Sequence, residues 1–98
     1  MRKIEQQMLA AIRSRKNWKS GNTETVVFAG PEGAVSMVYL HGNHIADVCL
    51  QTGGVYVNRE TLRNWPTTTT KSRLRALSAD LVQRKGVLYL NGEEVARI

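Results

Sequence analysis

The sequence predicts an α+β fold: an antiparallel sheet of about six short strands with two amphipathic helices packed against it. Three observations carry this expectation. Apolar residues recur at helical spacing near the start of the chain and again after Thr70. Between them lie short runs rich in Val, Ile, Thr and Tyr. Glycine-containing pairs, Gly42-Asn43 and Asn91-Gly92, separate runs of strand-forming residues as tight hairpin turns do. A chain of 98 residues holds a single domain with one modest core, so the domain spans residues 1–98.

The first helix is expected from Arg2 to about Asn17. Ile4, Met8, Ala11 and Ile12 form one stripe of a 3.6-residue period. Arg13, Arg15 and Lys16 fall in its last turns, where the negative end of the helix dipole favours cations. TETVVFA (23–29) then reads as a strand running into the turn GPEG (30–33). AVSMVYLH (34–41) and HIADVCL (44–50) flank Gly42-Asn43, and that turn sets Leu40 opposite Ile45, Tyr39 opposite Ala46 and Met37 opposite Val48. One face would then carry Val35, Met37, Tyr39, Ala46, Val48 and Leu50 as the core face. The other carries Ser36, Val38, Leu40, Ile45, Asp47 and Cys49. Apolar residues on both faces suggest that something covers both. After QTGG (51–54), GVYVN forms a short strand.

The second helix is expected to start near Thr69 or Thr70, one of which caps it, and to run to about Lys85 with Gly86 as the stop. Leu74, Leu77 and Leu81 form its buried stripe, and Asp80 and Arg84 make a favourable pair one turn apart. VLYL and EVARI then flank Asn91-Gly92, where Asn91 supplies a left-handed turn conformation.

Composition narrows the chemistry. No apolar run is long enough to cross a membrane, and the N-terminus lacks the pattern of a secretion signal. The single cysteine, Cys49, permits no internal disulfide, and a cytosolic setting fits. His41 and His44 stand opposite each other, but Cys49 lies about 16 Å from His44 along an extended strand, so a metal site is not expected. Neither a nucleophile triad, nor a carboxylate pair outside the Glu93-Glu94 turn, nor a phosphate-loop glycine pattern is visible. Catalysis and a cofactor are not expected.

The net charge of +6 points to an anionic partner. Residues 23–58 contain no Lys or Arg, so the cations concentrate in residues 1–19 and 59–85. The stretch WPTTTTKSRLRAL (65–77) is the most unusual. Pro66 holds Trp65 outside the helix. One threonine suffices as cap, while Lys71, Arg73 and Arg75 crowd the positive end of a helix dipole that carries no acidic residue. Two readings stand here: solvated cations on an exposed face, or a site where free N–H groups, hydroxyls and cations hold a phosphate. The second assigns Thr68, Thr69, Lys71, Ser72 and Arg73 to phosphates and Trp65 to base stacking, although a tryptophan at a helix boundary also serves as a packing residue.

KIEQQMLAAIRSRKNWKSGNTE, VYLHGNHIA and TTTTKSRLRAL, in this order over most of the chain, resemble a group of small tailed-phage proteins. The layout is also similar to the phage sponge proteins that neutralise Thoeris immunity. That resemblance implies two helices sandwiching an antiparallel sheet and a homo-oligomer, a dimer or a hexamer. It further implies sequestration, without cleavage, of cyclic ADP-ribose-type signals, and in some members of cyclic oligonucleotides of the CBASS kind, in the host cytoplasm. A neighbouring protomer would close the site, with Arg75, Lys16 or Asn91 as candidates for that wall. Arg75 is a departure, because the resembled proteins carry a polar, often uncharged residue there. The alternative is a basic nucleic-acid-binding phage accessory protein, with affinity falling steeply as salt rises. A third possibility is an inhibitor that docks on an acidic host enzyme.

Overall fold

A computed structural model describes residues 1–31 and 33–97. Helix α1 (Lys3–Arg13) precedes five strands: β1 (Trp18–Ser20), β2 (Thr23–Gly30), β3 (Gly33–Leu40), β4 (Asn43–Cys49) and β5 (Val55–Val57). Helices α2 (Arg59–Asn64) and α3 (Thr68–Ala76) follow, and the chain closes with β6 (Leu81–Arg84), β7 (Val87–Leu90) and β8 (Glu93–Arg97). β1 to β5 form one antiparallel meander in chain order, and β6 to β8 form a second. The expected α+β architecture with antiparallel pairing is what the chain adopts. Among the described residues, its eight strands are divided between two sheets rather than gathered in one.

α1 buries Met8, Ala11 and Ile12 as the periodicity requires, and it buries Glu5 as well. It stops at Arg13, short of Asn17. Arg15 adopts a left-handed φ of 55°, and the Lys16 N–H reaches back to the Ala11 carbonyl at 3.0 Å. That closure of the last turn normally recruits glycine, so an arginine in the same position gives no stop signal. The reversal delivers Trp18 to pair with Thr25 and so creates β1, a strand that composition does not announce.

The second helix is the largest departure. α3 ends at Ala76, Ser78 takes a positive φ of 74°, and the chain re-enters as a strand at Leu81. Lys85-Gly86 is not a helix stop but a two-residue hairpin turn, with φ of 49° and 76°, the mirror-image turn that suits the twist of paired strands. Leu81 is buried as expected, but from β6, opposite Leu90. Asp80 and Arg84 therefore do not share a helical face. Two consecutive turns, Lys85-Gly86 and Asn91-Gly92 (φ 52° and 82°), fold this segment into a three-stranded meander whose inner side chains complete the core. Cross-strand burial outweighs the local helical pattern. Asn91 has the left-handed conformation expected of it. Glu32 in GPEG and Ile98 in EVARI lie outside the described residues, while Gly30 and Gly33 pair across their turn.

The β3–β4 hairpin turns one residue earlier than expected, at His41-Gly42, with φ of 51° and 78°. The His41 N–H donates to the Asn22 carbonyl at 2.8 Å, tying this turn to the β1–β2 turn. The stem thus closes on Leu40 and Asn43, Tyr39 pairs with His44, and a bulge between Tyr39 and Val38 shifts the register by one residue to Val38–Ala46, Met37–Asp47 and Ser36–Val48. The shift reverses the expected faces of β3. Ser36, Val38 and Leu40 point inward, whereas Val35, Met37 and Tyr39 point outward. The bulge also lets consecutive Ile45 and Ala46 both be buried.

All three helices contribute to one core with Val38, Leu40, Ile45, Leu88 and Leu90, through Met8, Leu62 and Leu74. The six-residue helix α2 was not anticipated. Asn58 caps it by accepting from the Thr61 N–H at 3.1 Å, and the Asn58 N–H anchors it to the Ile45 carbonyl at 2.8 Å. The turn assignment is testable. Gly42→Ala imposes a left-handed alanine at a position with open space around it and should cost about 1–2 kcal/mol in urea denaturation. Asn43→Ala should cost less than about 0.5 kcal/mol. The opposite order would place the turn at Gly42-Asn43.

Candidate functional site

The threonine run resolves into distinct roles. Thr67, rather than Thr69 or Thr70, caps α3: its Oγ1 accepts from the Thr70 N–H at 3.1 Å and lies 2.9 Å from the Thr70 hydroxyl. Thr70 is buried. Trp65 closes α2, its N–H donating to the Thr61 carbonyl at 2.9 Å, and is half exposed over a small cavity of about 60 Å³ shared with Leu40, Thr67 and Thr70. Pro66 does keep Trp65 outside the helix, as its φ of −134° and ψ of 67° show.

The three cations of α3 do not act together. The Arg73 side chain is 3% exposed. Its Nη1 donates to Glu5 Oε2 at 2.7 Å and its Nε to the Thr23 hydroxyl at 3.0 Å. The Ser72 hydroxyl donates to the same Glu5 oxygen at 2.6 Å, and the Arg2 N–H approaches Glu5 Oε1 at 3.4 Å. Burial by itself pushes the Glu5 carboxyl up, but the hydrogen bonds from Ser72, Arg73 and Arg2 and the Arg73 charge hold it below its ordinary value. Arg73 is therefore a structural ion-pair residue and not a phosphate ligand. Because α3 ends at Ala76, Arg73 and Arg75 lie in its last turn, where the dipole favours cations rather than opposing them, and α1 supplies Arg73 with a buried carboxylate. Lys71 is turned towards Gln83, donating at 2.6 Å. Arg75 stays exposed, with its Nε donating to the Leu81 carbonyl at 3.2 Å.

What remains of the expected constellation lies on the outer side of α3. Thr68, Ser72 and Arg75 line an open groove of about 430 Å³ with Met1, Arg2 and the acidic Glu5. Thr69 is half-buried outside it, and Trp65 belongs to the separate cavity described above. Lys16 lines a different depression with Trp18, Gln7 and Ser14. Asn91 stands elsewhere again, in a cleft of about 310 Å³ between the two sheets. Six of the candidates thus divide among four places, Thr69, Lys71 and Arg73 line none of them, and a phosphate cluster with a stacking tryptophan does not assemble.

The cleft between the sheets combines the most suitable groups. It is lined by Tyr56 of β5, Arg59 at the start of α2, Ser78 from the α3–β6 turn and Asn91 from the β7–β8 turn. Tyr56 is 66% exposed. Among the described residues, the ion-pair partner of Arg59 is the exposed Glu93 at 3.7 Å, a surface pair worth about 0–1 kcal/mol and readily exchanged for a stronger anion. Ser78 and Asn91 both hold left-handed conformations, and the Asn91 N–H is tied to the Asp80 carbonyl at 2.9 Å. Arg59 and Ser78 were not singled out from sequence. Their one signal is indirect: Asn58-Arg59-Glu60 is a cap followed by charged first-turn residues. Arg2 in the α3 groove carried no signal at all.

His41 is a turn residue and does not face His44. His44 Nε2 lies 2.7 Å from Asp47 Oδ1, and its Nδ1 lies 3.4 Å from the Asn58 amide nitrogen. Because the Asn58 carbonyl oxygen is committed to the α2 cap, its amide donates to Nδ1, which leaves the proton on Nε2 for Asp47. The ring joins β4 to α2. Among the described residues, no three His, Cys, Asp or Glu side chains converge as a metal would need.

Removing one partner of the buried pair tests this assignment. Glu5→Gln or Arg73→Met should cost about 3–5 kcal/mol of stability. A carboxyl held low in the folded state contributes stability that is present above its unfolded value and lost as pH falls. The wild type should therefore lose stability below about pH 4.5, and Glu5→Gln should flatten that acid limb. An unchanged acid limb would show that Glu5 is not paired.

A family model described as Kyanoviridae Gp96 protein matches residues 1–98. No curated protein and no solved structure matches the chain.

Proposed function

The chain belongs to the Kyanoviridae Gp96 protein family of tailed phages, and on that premise we propose that it is an anti-defence sponge. In this reading it binds a small cyclic nucleotide signal, of the cyclic ADP-ribose type or a cyclic oligonucleotide, in the host cytoplasm and holds it without cleaving it. The observation that carries the reading is the convergence of Tyr56, Arg59, Ser78 and Asn91 on one cleft of about 310 Å³. An exposed aromatic ring offers a face to a base. An arginine with a weak partner offers a planar fork to a phosphate. Two polar side chains on left-handed turns offer fixed hydrogen bonds to a ribose or base edge. The volume lies at the lower end of the range for small-molecule sites, so a neighbouring protomer of a homo-oligomer completes the enclosure.

The groove along α3, with Arg2, Thr68, Ser72 and Arg75, is a weaker candidate for a phosphate, because Glu5 also lines it and takes the Ser72 hydroxyl at 2.6 Å. The rival reading, a sequence-independent nucleic-acid binder, needs a continuous basic stripe. Burial of Arg73 and the engagement of Lys71 with Gln83 interrupt the stripe that α3 would supply.

The test is calorimetric titration with cyclic ADP-ribose isomers and cyclic di- and trinucleotides, followed by heat denaturation and recovery of the ligand. Intact ligand should be recovered. Tyr56→Ala should weaken binding by about 1–3 kcal/mol, the usual worth of a stacked base, with Tm unchanged. Arg75→Ala should weaken it less than Arg59→Ala. Absence of binding to every ligand overturns the reading, and salt-dependent binding of duplex DNA in its place would favour the rival.

A further inference from the structure

Among the described residues, nothing forms a layer upon one face of the five-stranded sheet. Its inner face carries Thr23, Thr25, Ser36, Val38 and Leu40, all buried. The pairing register places the outer side chains in three rows. Lys19, Glu24, Tyr39 and His44 form the first, and Val26, Met37, Asp47 and Tyr56 the second. Phe28, Val35 and Cys49 form the third. None of these side chains is buried, and Phe28 is 56% exposed. An antiparallel sheet with one face in water normally alternates apolar in and polar out. This one is apolar outward along its third row and at Val26 and Met37 of its second.

We propose that this outer face is a self-association surface, covered by the same face of a second copy of the chain. Charge identifies the occupant. The chain carries a net charge of +6, yet residues 23–58, which supply every strand of this face except β1, contain no Lys or Arg. Two cationic molecules therefore meet here with the least repulsion, and a polyanion such as nucleic acid or an anionic membrane finds only Lys19, set beside Glu24. The carboxylate in the middle row, Asp47, is hydrogen-bonded by His44 at 2.7 Å, so it keeps a donor when the face is covered. Tyr56 is the row's last residue on β5 and also lines the cleft between the sheets. The second copy thus forms a wall of that cleft. This last point rests on the ligand reading above, whereas the interface itself does not.

Sedimentation equilibrium and native mass spectrometry test it, using the full chain. The wild type should be a dimer or an even-numbered assembly. Phe28→Lys, at a site exposed enough to leave folding intact, should raise the dissociation constant about 30-fold or more, as loss of an interface anchor does. Met37→Lys should act in the same direction. Val82→Lys, on the outer face of the small sheet, should leave the mass unchanged. A monomeric wild type, a Phe28→Lys variant of wild-type mass, or dissociation by Val82→Lys alone would overturn the interface. A stable dimer that binds no cyclic nucleotide would leave the interface standing and sink the ligand reading. Wild-type ligand affinity in monomeric Phe28→Lys would overturn the shared wall.

Discussion

The buried pair between Glu5 and Arg73 is the constraint on which the arrangement of layers depends. It joins α1 to α3 across 68 positions of sequence, and the Arg73 Nε continues the link to Thr23 at the start of β2. Three elements, α1, α3 and β2, are thereby given a single orientation. A buried charge without its partner costs several kcal/mol, so any slip of one helix along the other is penalised far more than an apolar contact would penalise it. The same pair removes the most prominent cation of α3 from the surface. What reads locally as an anion site is completed from within by a carboxylate.

Other cations behave in a related way. Arg15 donates to the Leu50 carbonyl, Arg63 to the Val95 carbonyl and Arg75 to the Leu81 carbonyl. Each ties the end of a helix to a strand or its margin through a backbone oxygen that strand pairing leaves available. The net charge of +6 thus overstates what is offered to an external anion. Much of it staples secondary structure, and the remainder is scattered over several faces. This is why a cleft with one weakly held arginine and an exposed tyrosine is a better candidate than the stretch with the highest density of cations.

Much of the fold was legible in the residues. The Met8, Ala11 and Ile12 stripe, the run of antiparallel hairpins and the Asn91-Gly92 turn follow directly from periodicity and turn chemistry. The failures share a physical origin in positions where a non-glycine residue takes a left-handed conformation. Arg15 ends α1 early, His41 moves the hairpin by one residue and reverses the faces of β3, and Ser78 ends α3 before Lys85 begins a turn. Such residues carry no compositional mark. A one-residue shift in a strand exchanges its two faces, so the His41 turn had the largest consequence. The candidate site was less legible than the fold. Thr68, Ser72 and Arg75 do share a groove and Asn91 does line a cleft, but Arg73 was read from its helix position without the distant Glu5. Arg59 and Ser78 reach their cleft only through the packing of two sheets.

These features describe a small tailed-phage protein whose cleft is lined by polar groups on turns and a helix start, around an ion-paired frame. The proposed role asks for a binding surface and a second copy, with no reacting group. The most direct test is a two-dimensional amide NMR titration of the isotope-labelled protein with cyclic ADP-ribose isomers. The account predicts saturable shifts concentrated at Tyr56, Arg59, Ser78 and Asn91. Shifts confined to Thr68, Ser72 and Arg75, or none with any isomer, would contradict it.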